Sequence, residues 1–426
     1  MSTAAPVAAP AAPALPPGAR IATLDILRGV AVMGILAMNI VAFAMPFQAY
    51  PNPTAYGLES DADLASWVFS FILVDGKMRG LFSFLFGAST LLVIERAEAA
   101  GRSPAEVHYR RMVWLLVFGL LHFYFIWFGD ILTLYALVGL ILFAFRNLPL
   151  RSLMRWGIAL VLVQTLLFAS FAAGAFQLSQ ATAAANPDPA LVEQWRGMQQ
   201  GFAPLTGQPL ADKLALYRDG YAGLVDQRLL QHTLEPLVSA AMFASETLAY
   251  MLFGMAALKS GFFRGDWAAA RYRKWALTGF AIGVPAYAAL AFLLIRDDFS
   301  VPMLFALWMA AATPFRPVMV VAIAALIILL TRRGGALVER IAAAGRAAFT
   351  NYLGTSILMT TFFYGYGLGF YGTMSRVELW LPVVAIWVLI LLWSKPWLDR
   401  FRYGPFEWLW RSLARGRLEP MRKGGP

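Results

Sequence analysis

Ten largely apolar runs follow one another along this 426-residue chain, at about 24–46, 78–95, 111–128, 131–147, 153–178, 236–258, 274–295, 317–331, 347–363 and 378–394. Most approach the ~20 residues that an α-helix needs to cross the hydrocarbon core of a bilayer. A segment in lipid must satisfy its own backbone N–H and C=O groups, and a run of this length does so as a helix. The sequence therefore predicts an all-α, polytopic integral membrane protein of about ten transmembrane helices. Composition agrees, because 60% of the residues are apolar and only 14% are charged, a balance foreign to a soluble globule.

The charges that remain set the orientation. With the N-terminus inside, 26 of the 35 Lys and Arg side chains fall on cytoplasmic segments, the asymmetry expected of a membrane protein. Both termini are then cytoplasmic, which requires an even number of spans. The net charge of +11 is scattered between apolar runs rather than gathered on one soluble face, so it does not point to nucleic acid. The chain has no Cys and three His, which removes disulfides, thiolate nucleophiles and a multi-His metal centre from consideration; no metal is expected.

Residues 1–19, rich in Ala and Pro, read as a disordered tail without the basic start and apolar core of a signal peptide. Residues 20–403 form a single membrane domain, and 404–426 a cytoplasmic interfacial helix and tail, with Trp408, Trp410 and Arg411 as anchors. The one sizeable polar connection, about 181–235, carries ten charges and is expected outside, with some helix of its own. Two short apolar pieces, Asp63 to Val74 and Val301 to Thr313, have the length of interfacial or re-entrant segments.

Polar side chains embedded in apolar runs are the candidates for function, since each is expensive in lipid. In the first run, at about 100° per residue, Arg28 and Asn39 lie some 20° apart around the axis and Asp25 within roughly 60° of both. That polar face must look into protein or a water-filled cavity. His122 falls near the middle of the third run, as either an interhelical hydrogen-bonding group or a general base, imidazole being the side chain that exchanges protons near neutral pH. Asp130, eight residues on and about 80° around the axis, is placed to orient a partner rather than to touch His122, or to end a helix in solvent. Lys77 and Arg79 read as interface anchors. Gly80, Ser83 and Gly87 share a face suited to close helix packing, and Glu246 and Asn351 read as interhelical polar contacts.

Four stretches carry a resemblance: Leu24-Asp-Ile-Leu-Arg-Gly29 with Asn39, Leu121-His-Phe-Tyr-Phe-Ile-Trp-Phe-Gly-Asp-Ile-Leu132, Gly345-Arg-Ala-Ala-Phe-Thr-Asn-Tyr-Leu353 and Gly404-Pro-Phe-Glu-Trp-Leu-Trp-Arg411. In this order they identify the chain as a member of the YeiB family of bacterial inner-membrane proteins, the domain of unknown function 418. That family implies a multi-pass bacterial inner-membrane location but no chemistry. The first helix is also similar to that of the heparan-α-glucosaminide N-acetyltransferases, and more loosely to other transmembrane acyltransferases. Those enzymes move an acyl group from cytosolic acyl-CoA to an acceptor on the far side. Their catalytic His, eleven residues after the Asn, is Tyr50 here, so His122 from a neighbouring helix would supply the base.

The resemblance thus implies a membrane O- or N-acyltransferase that takes acyl-CoA (acetyl-CoA) as co-substrate. His122 and Asn39 would be catalytic as base and oxyanion donor, with Asp130 in support. Asp25, Arg28, Lys77 and Arg79 would serve the CoA end. The expected partners are the lipid bilayer and an extracytoplasmic glycan or lipid acceptor, with a homodimer left open. The alternative from another class is a transporter or lipid-binding protein with a midplane polar site, and a third reading is a passive scaffold.

Overall fold

The computed structural model describes residues 21–423, and the tail expected at 1–19 lies outside them. Apart from one isolated bridge between Phe401 and Arg422, the regular structure among the described residues is helical. In order it runs α1 (Ala22–Ala44), α2 (Asp61–Leu73), α3 (Lys77–Ala99), α4 (Pro104–Phe125), α5 (Leu132–Leu142) and α6 (Leu150–Thr182). The connection beyond α6 is itself helical, with α7 (Pro189–Phe202), α8 (Gly207–Arg218), α9 (Tyr221–Asp226) and a π-helical turn at Gln227–Gln231. Then follow α10 (Glu235–Lys259), α11 (Ala269–Arg296), α12 (Val301–Met303), α13 (Arg316–Thr331), α14 (Ala336–Arg346), α15 (Ala348–Phe363), α16 (Trp380–Arg400) and α17 (Pro405–Arg415).

All ten predicted runs fall on helices. Among the described residues, seven helical stretches are long and apolar enough to cross a membrane, so the chain is a polytopic helical membrane protein. The other three runs lie on α4, which begins with several charges, and on the shorter α5 and α15. The two short apolar pieces are not separate excursions. α2 turns at Gly76, which takes a φ of 70° that suits a residue without Cβ, and continues as α3. The Val301–Thr313 piece runs through α12 and a π-helical stretch, Leu304–Ala311, into α13.

α1, α3 and α10 form the centre, while α6, α11 and α16 leave most of their apolar surface outward, as helices facing lipid do. Two glycine pairs let central helices touch at the backbone. A Cβ on Gly87 would lie 2.0 Å from the Met251 carbonyl oxygen, and one on Gly254 only 1.8 Å from that of Phe84, so α3 and α10 cross with no room for a side chain. In the same way Gly29 abuts Ile341 and Gly345 abuts Asp25, which locks α1 to α14.

Candidate functional site

His122 and Asp130 are brought into direct contact, contrary to the expectation from helical spacing. That expectation assumed a helix running to 128. Instead α4 ends at Phe125, the backbone N–H groups of Ile126 and Trp127 both bond the His122 carbonyl, and the chain reverses. His122 therefore sits in the last turn of α4 rather than mid-helix, and its Nδ1 lies 2.9 Å from Asp130 Oδ1, both side chains buried. The Asp130 carboxylate also caps the start of α5, with Oδ1 accepting from Leu132 N–H (3.1 Å) and Oδ2 from Thr133 N–H (2.8 Å). In the neutral imidazole, an acceptor so placed selects the tautomer with the proton on Nδ1 and the lone pair on Nε2. Nε2 is buried and has no hydrogen-bond partner in the protein.

Two cavities approach this pair from opposite ends of the bundle. One, about 280 Å³, opens where α1 and α4 begin and α3 ends, beside α14 and α17. It is lined by Arg28, Arg96, Arg111, Arg346, Arg402 and Arg411, with Asp25 and Glu407 as its acids. Arg28 donates to Asp25 Oδ1 (3.1 Å) and Ser89 Oγ (2.7 Å), and Arg111 stacks 4.2 Å over the Trp410 ring. Glu407 accepts from the backbone N–H groups of Phe349 and Thr350 and from the Thr350 hydroxyl, so α17 is pinned to the start of α15. Burial pushes the Glu407 carboxyl above its usual range, against the pull of those hydrogen bonds.

The second cavity, about 480 Å³, lies at the other end, where α1 and α4 finish and the α7–α9 region covers the bundle. Asn39, Asp130, Asp75, Arg79, Arg228 and Arg316 line it. Tyr50 lines it too and donates to Asp75 Oδ1 (2.6 Å), while Trp308 Nε1 donates to Asp75 Oδ2 (2.9 Å). Ile35 and Ile131 border both cavities, so little more than one layer of side chains separates them. His122 is in that wall. Asp130 faces the larger cavity, Tyr352 faces the smaller one, and the His122 ring is 5.2 Å from that of Tyr352. His122 itself lines neither.

The predicted site residues therefore divide. Asp25 and Arg28 share the arginine-rich cavity, and Asn39 and Asp130 share the other. Lys77 and Arg79 do not join Arg28, because α1 and α3 run in opposite directions. Arg28 meets Ser89, which is ~18 Å along α3 from Lys77. Lys77 is wholly buried, its Nζ 2.5 Å from the Phe71 carbonyl and 3.2 Å from the Tyr287 ring centroid. Arg79 forms an ion pair with Glu246, whose other oxygen accepts from Arg316 (2.9 Å) and Tyr250 (2.8 Å). Glu246 is legible in the sequence but its partners are not; an acid deep in an apolar helix demands a cation, and Arg316 between two prolines is the signal the sequence offers. Asn351 does bridge helices, bonding Ala344 O (3.0 Å), Ser394 (3.3 Å) and Trp393 (3.0 Å).

The family described as "Protein of unknown function (DUF418)" matches residues 257–417. Over 423 residues and 95% of its length the chain is 32% identical to the uncharacterized protein YeiB of Escherichia coli (strain K12) and 31% identical to the uncharacterized protein YxaH of Bacillus subtilis (strain 168). The alignments cover 97% and 96% of those proteins. The chain belongs to the DUF418 family. A 26% identical relative, an uncharacterized 39.9 kDa protein of Bacillus acidopullulyticus, aligns over 94% of the chain and 96% of its own length. In this DUF418 protein the four sequence motifs converge: Gly29 packs on α14, Gly345 on α1, Tyr352 beside His122, and Glu407 on Thr350.

Proposed function

We propose that this protein is a membrane acyltransferase that passes an acyl group, such as acetyl, from cytoplasmic acyl-CoA to a hydroxyl or amine of an extracytoplasmic glycan or lipid. The single observation that carries the reading is the placement of His122 and Asp130 in a thin wall between an arginine-rich cavity and a second, separate one. A binding protein needs one cavity, whereas transfer across a membrane needs two that meet at a base. In this reading the bundle has ten spans, both termini are cytoplasmic, the arginine-rich cavity opens inward, and the membrane is the bacterial inner membrane. The excess of Lys and Arg on the segments at that end supports the orientation.

The arginine cavity fits the co-substrate in charge and shape of donor. Guanidinium groups pair with phosphate oxygens through two parallel N–H donors, so Arg28 and Arg111 would hold the phosphates of CoA, with the thioester directed toward Tyr352. Tyr352 lines that cavity with its ring 5.2 Å from that of His122, so it would have to turn aside for the thioester carbonyl to reach the wall. His122 Nε2 takes the proton of the acceptor hydroxyl or amine as the acceptor oxygen or nitrogen attacks the carbonyl carbon. Asn39 donates to the developing oxyanion, the C–S bond breaks, and the proton passes from His122 to the departing thiolate. Asp130 holds the imidazole with its lone pair on Nε2, a positioning role.

The test is transfer of radiolabelled acetyl from acetyl-CoA to envelope lipid and glycan fractions by the purified full-length protein. Label is expected in one fraction, reduced by roughly 10² to 10⁴ in His122→Gln. Absence of transfer, or equal transfer by a folded His122→Gln variant, would overturn the proposal. A transporter is the second reading, favoured by the charged cluster of Arg79, Glu246 and Arg316 beside the larger cavity; it predicts ligand binding and flux with no labelled product.

A further inference from the structure

The larger cavity has a charge pattern that the transfer chemistry does not use. Arg228, on the π-helical turn Gln227–Gln231, is only 3% exposed and lines the cavity. Its Nη1 reaches the Tyr124 carbonyl at 3.5 Å, and its Nη2 has no hydrogen-bond partner in the protein. Arg79 lines the same cavity with Nη2 held by Glu246 and Nη1, also buried, unpartnered. Two arginines, Arg79 and Arg316, share the one Glu246 carboxylate. Of the acids that line the cavity, Asp75 accepts from Tyr50 and Trp308, Glu235 pairs with His232 and Asp130 with His122, so none of the three bonds Arg228 or Arg79. A buried guanidinium donor left unpaired is costly, and a π-helical turn is a frequent mark of a functional position.

We infer that this cavity is an oxyanion site, in which Arg228 and Arg79 grip a phosphate or carboxylate group of the bound molecule. Lys213, also on the cavity lining, adds a third positive charge. Assigning that oxyanion to the acyl acceptor rests on the transfer reading above, which then makes the acceptor an anionic glycan or lipid; the site itself does not depend on it. The oxyanion belongs either to a lipid headgroup or to a water-soluble molecule, and the two are separable.

Full-length protein released from detergent in native mass spectrometry, without acyl-CoA, is titrated with phosphatidylglycerol, glycerol 1-phosphate, and their uncharged counterparts diacylglycerol and glycerol. The charged member of at least one pair should bind roughly tenfold or more tighter than its neutral counterpart, and Arg228→Gln should abolish that preference. Preference within the lipid pair alone identifies a headgroup, and preference within the soluble pair identifies a free oxyanion; either supports the site. Should Arg228→Gln fail to elute as a folded protein, Lys213→Gln on the outer helix α8 takes its place and should weaken charged binding several-fold. Equal binding of charged and neutral probes, or a charged preference untouched in the folded variant, overturns the inference. Neither result depends on whether acetyl is transferred.

Discussion

Two ion-pair sites sit in the membrane helices, and they are built differently. Around Glu246, a carboxylate with no exposed side-chain surface accepts from Arg79, Arg316 and Tyr250 at once, and the two arginine side chains are 14% and 6% exposed. At the start of α1, Asp25 and Arg28 form a single 3.1 Å contact with 16% and 23% of their side chains open to a cavity. Breaking a fully buried pair strands the surviving charge at a cost of about 3–5 kcal/mol, whereas a pair with access to water is worth about 0–1 kcal/mol. The first site therefore reads as a clasp joining α3, α10 and α13, the second as a group held ready for a ligand. The His122–Asp130 pair lies between the two. It is as buried as the clasp, yet one of its nitrogens is left unpaired.

The sharpest way to break this contrast is at Glu246. Glu246→Gln should cost about 3–5 kcal/mol, seen as a large fall in melting temperature in detergent, because Arg79 and Arg316 lose their shared carboxylate. A near-normal melting curve would make the clasp an ordinary polar contact. His122→Gln should leave melting close to wild type while acyl transfer falls by roughly 10² to 10⁴. If stability drops and turnover does not, the pair belongs with the clasp. Asn39→Ala should reduce transfer by about 10² to 10³ through the oxyanion, measured at saturating acyl-CoA. The smallest stability change is expected at Arg28. Arg28→Ala should shift stability by about 1 kcal/mol or less, and the Asp25→Asn, Arg28→Gln double variant should melt within a similar range of it. A several-fold larger loss in the single variant would show that the pair is buried after all.

Much of this architecture is legible in the sequence, since apolar run length alone places the ten helical segments. The junctions are harder. The reversal after Phe125 follows from Asp130 capping α5 and from Trp127 and Gly129 packing into the turn, and nothing in the periodicity of the third run signals it. For the same reason the His122–Asp130 contact was invisible to angular arithmetic, which holds only while the helix continues. Charge alone groups Lys77 and Arg79 with Arg28, but the antiparallel course of α1 and α3 carries Arg79 to the other cavity and buries Lys77 against Phe71 and Tyr287. Arg228 could not be found from the sequence, because it lies in the polar connection where a solvated arginine is the ordinary expectation and only tertiary packing buries it.

Whether the arginine-rich cavity holds acyl-CoA is decided by calorimetric titration of the purified full-length protein with acetyl-CoA. Saturable binding is expected, weakened by roughly tenfold or more in Arg28→Ala and left within about twofold of wild type in His122→Gln. No saturable binding at millimolar acetyl-CoA, or equal affinity in Arg28→Ala, would contradict it.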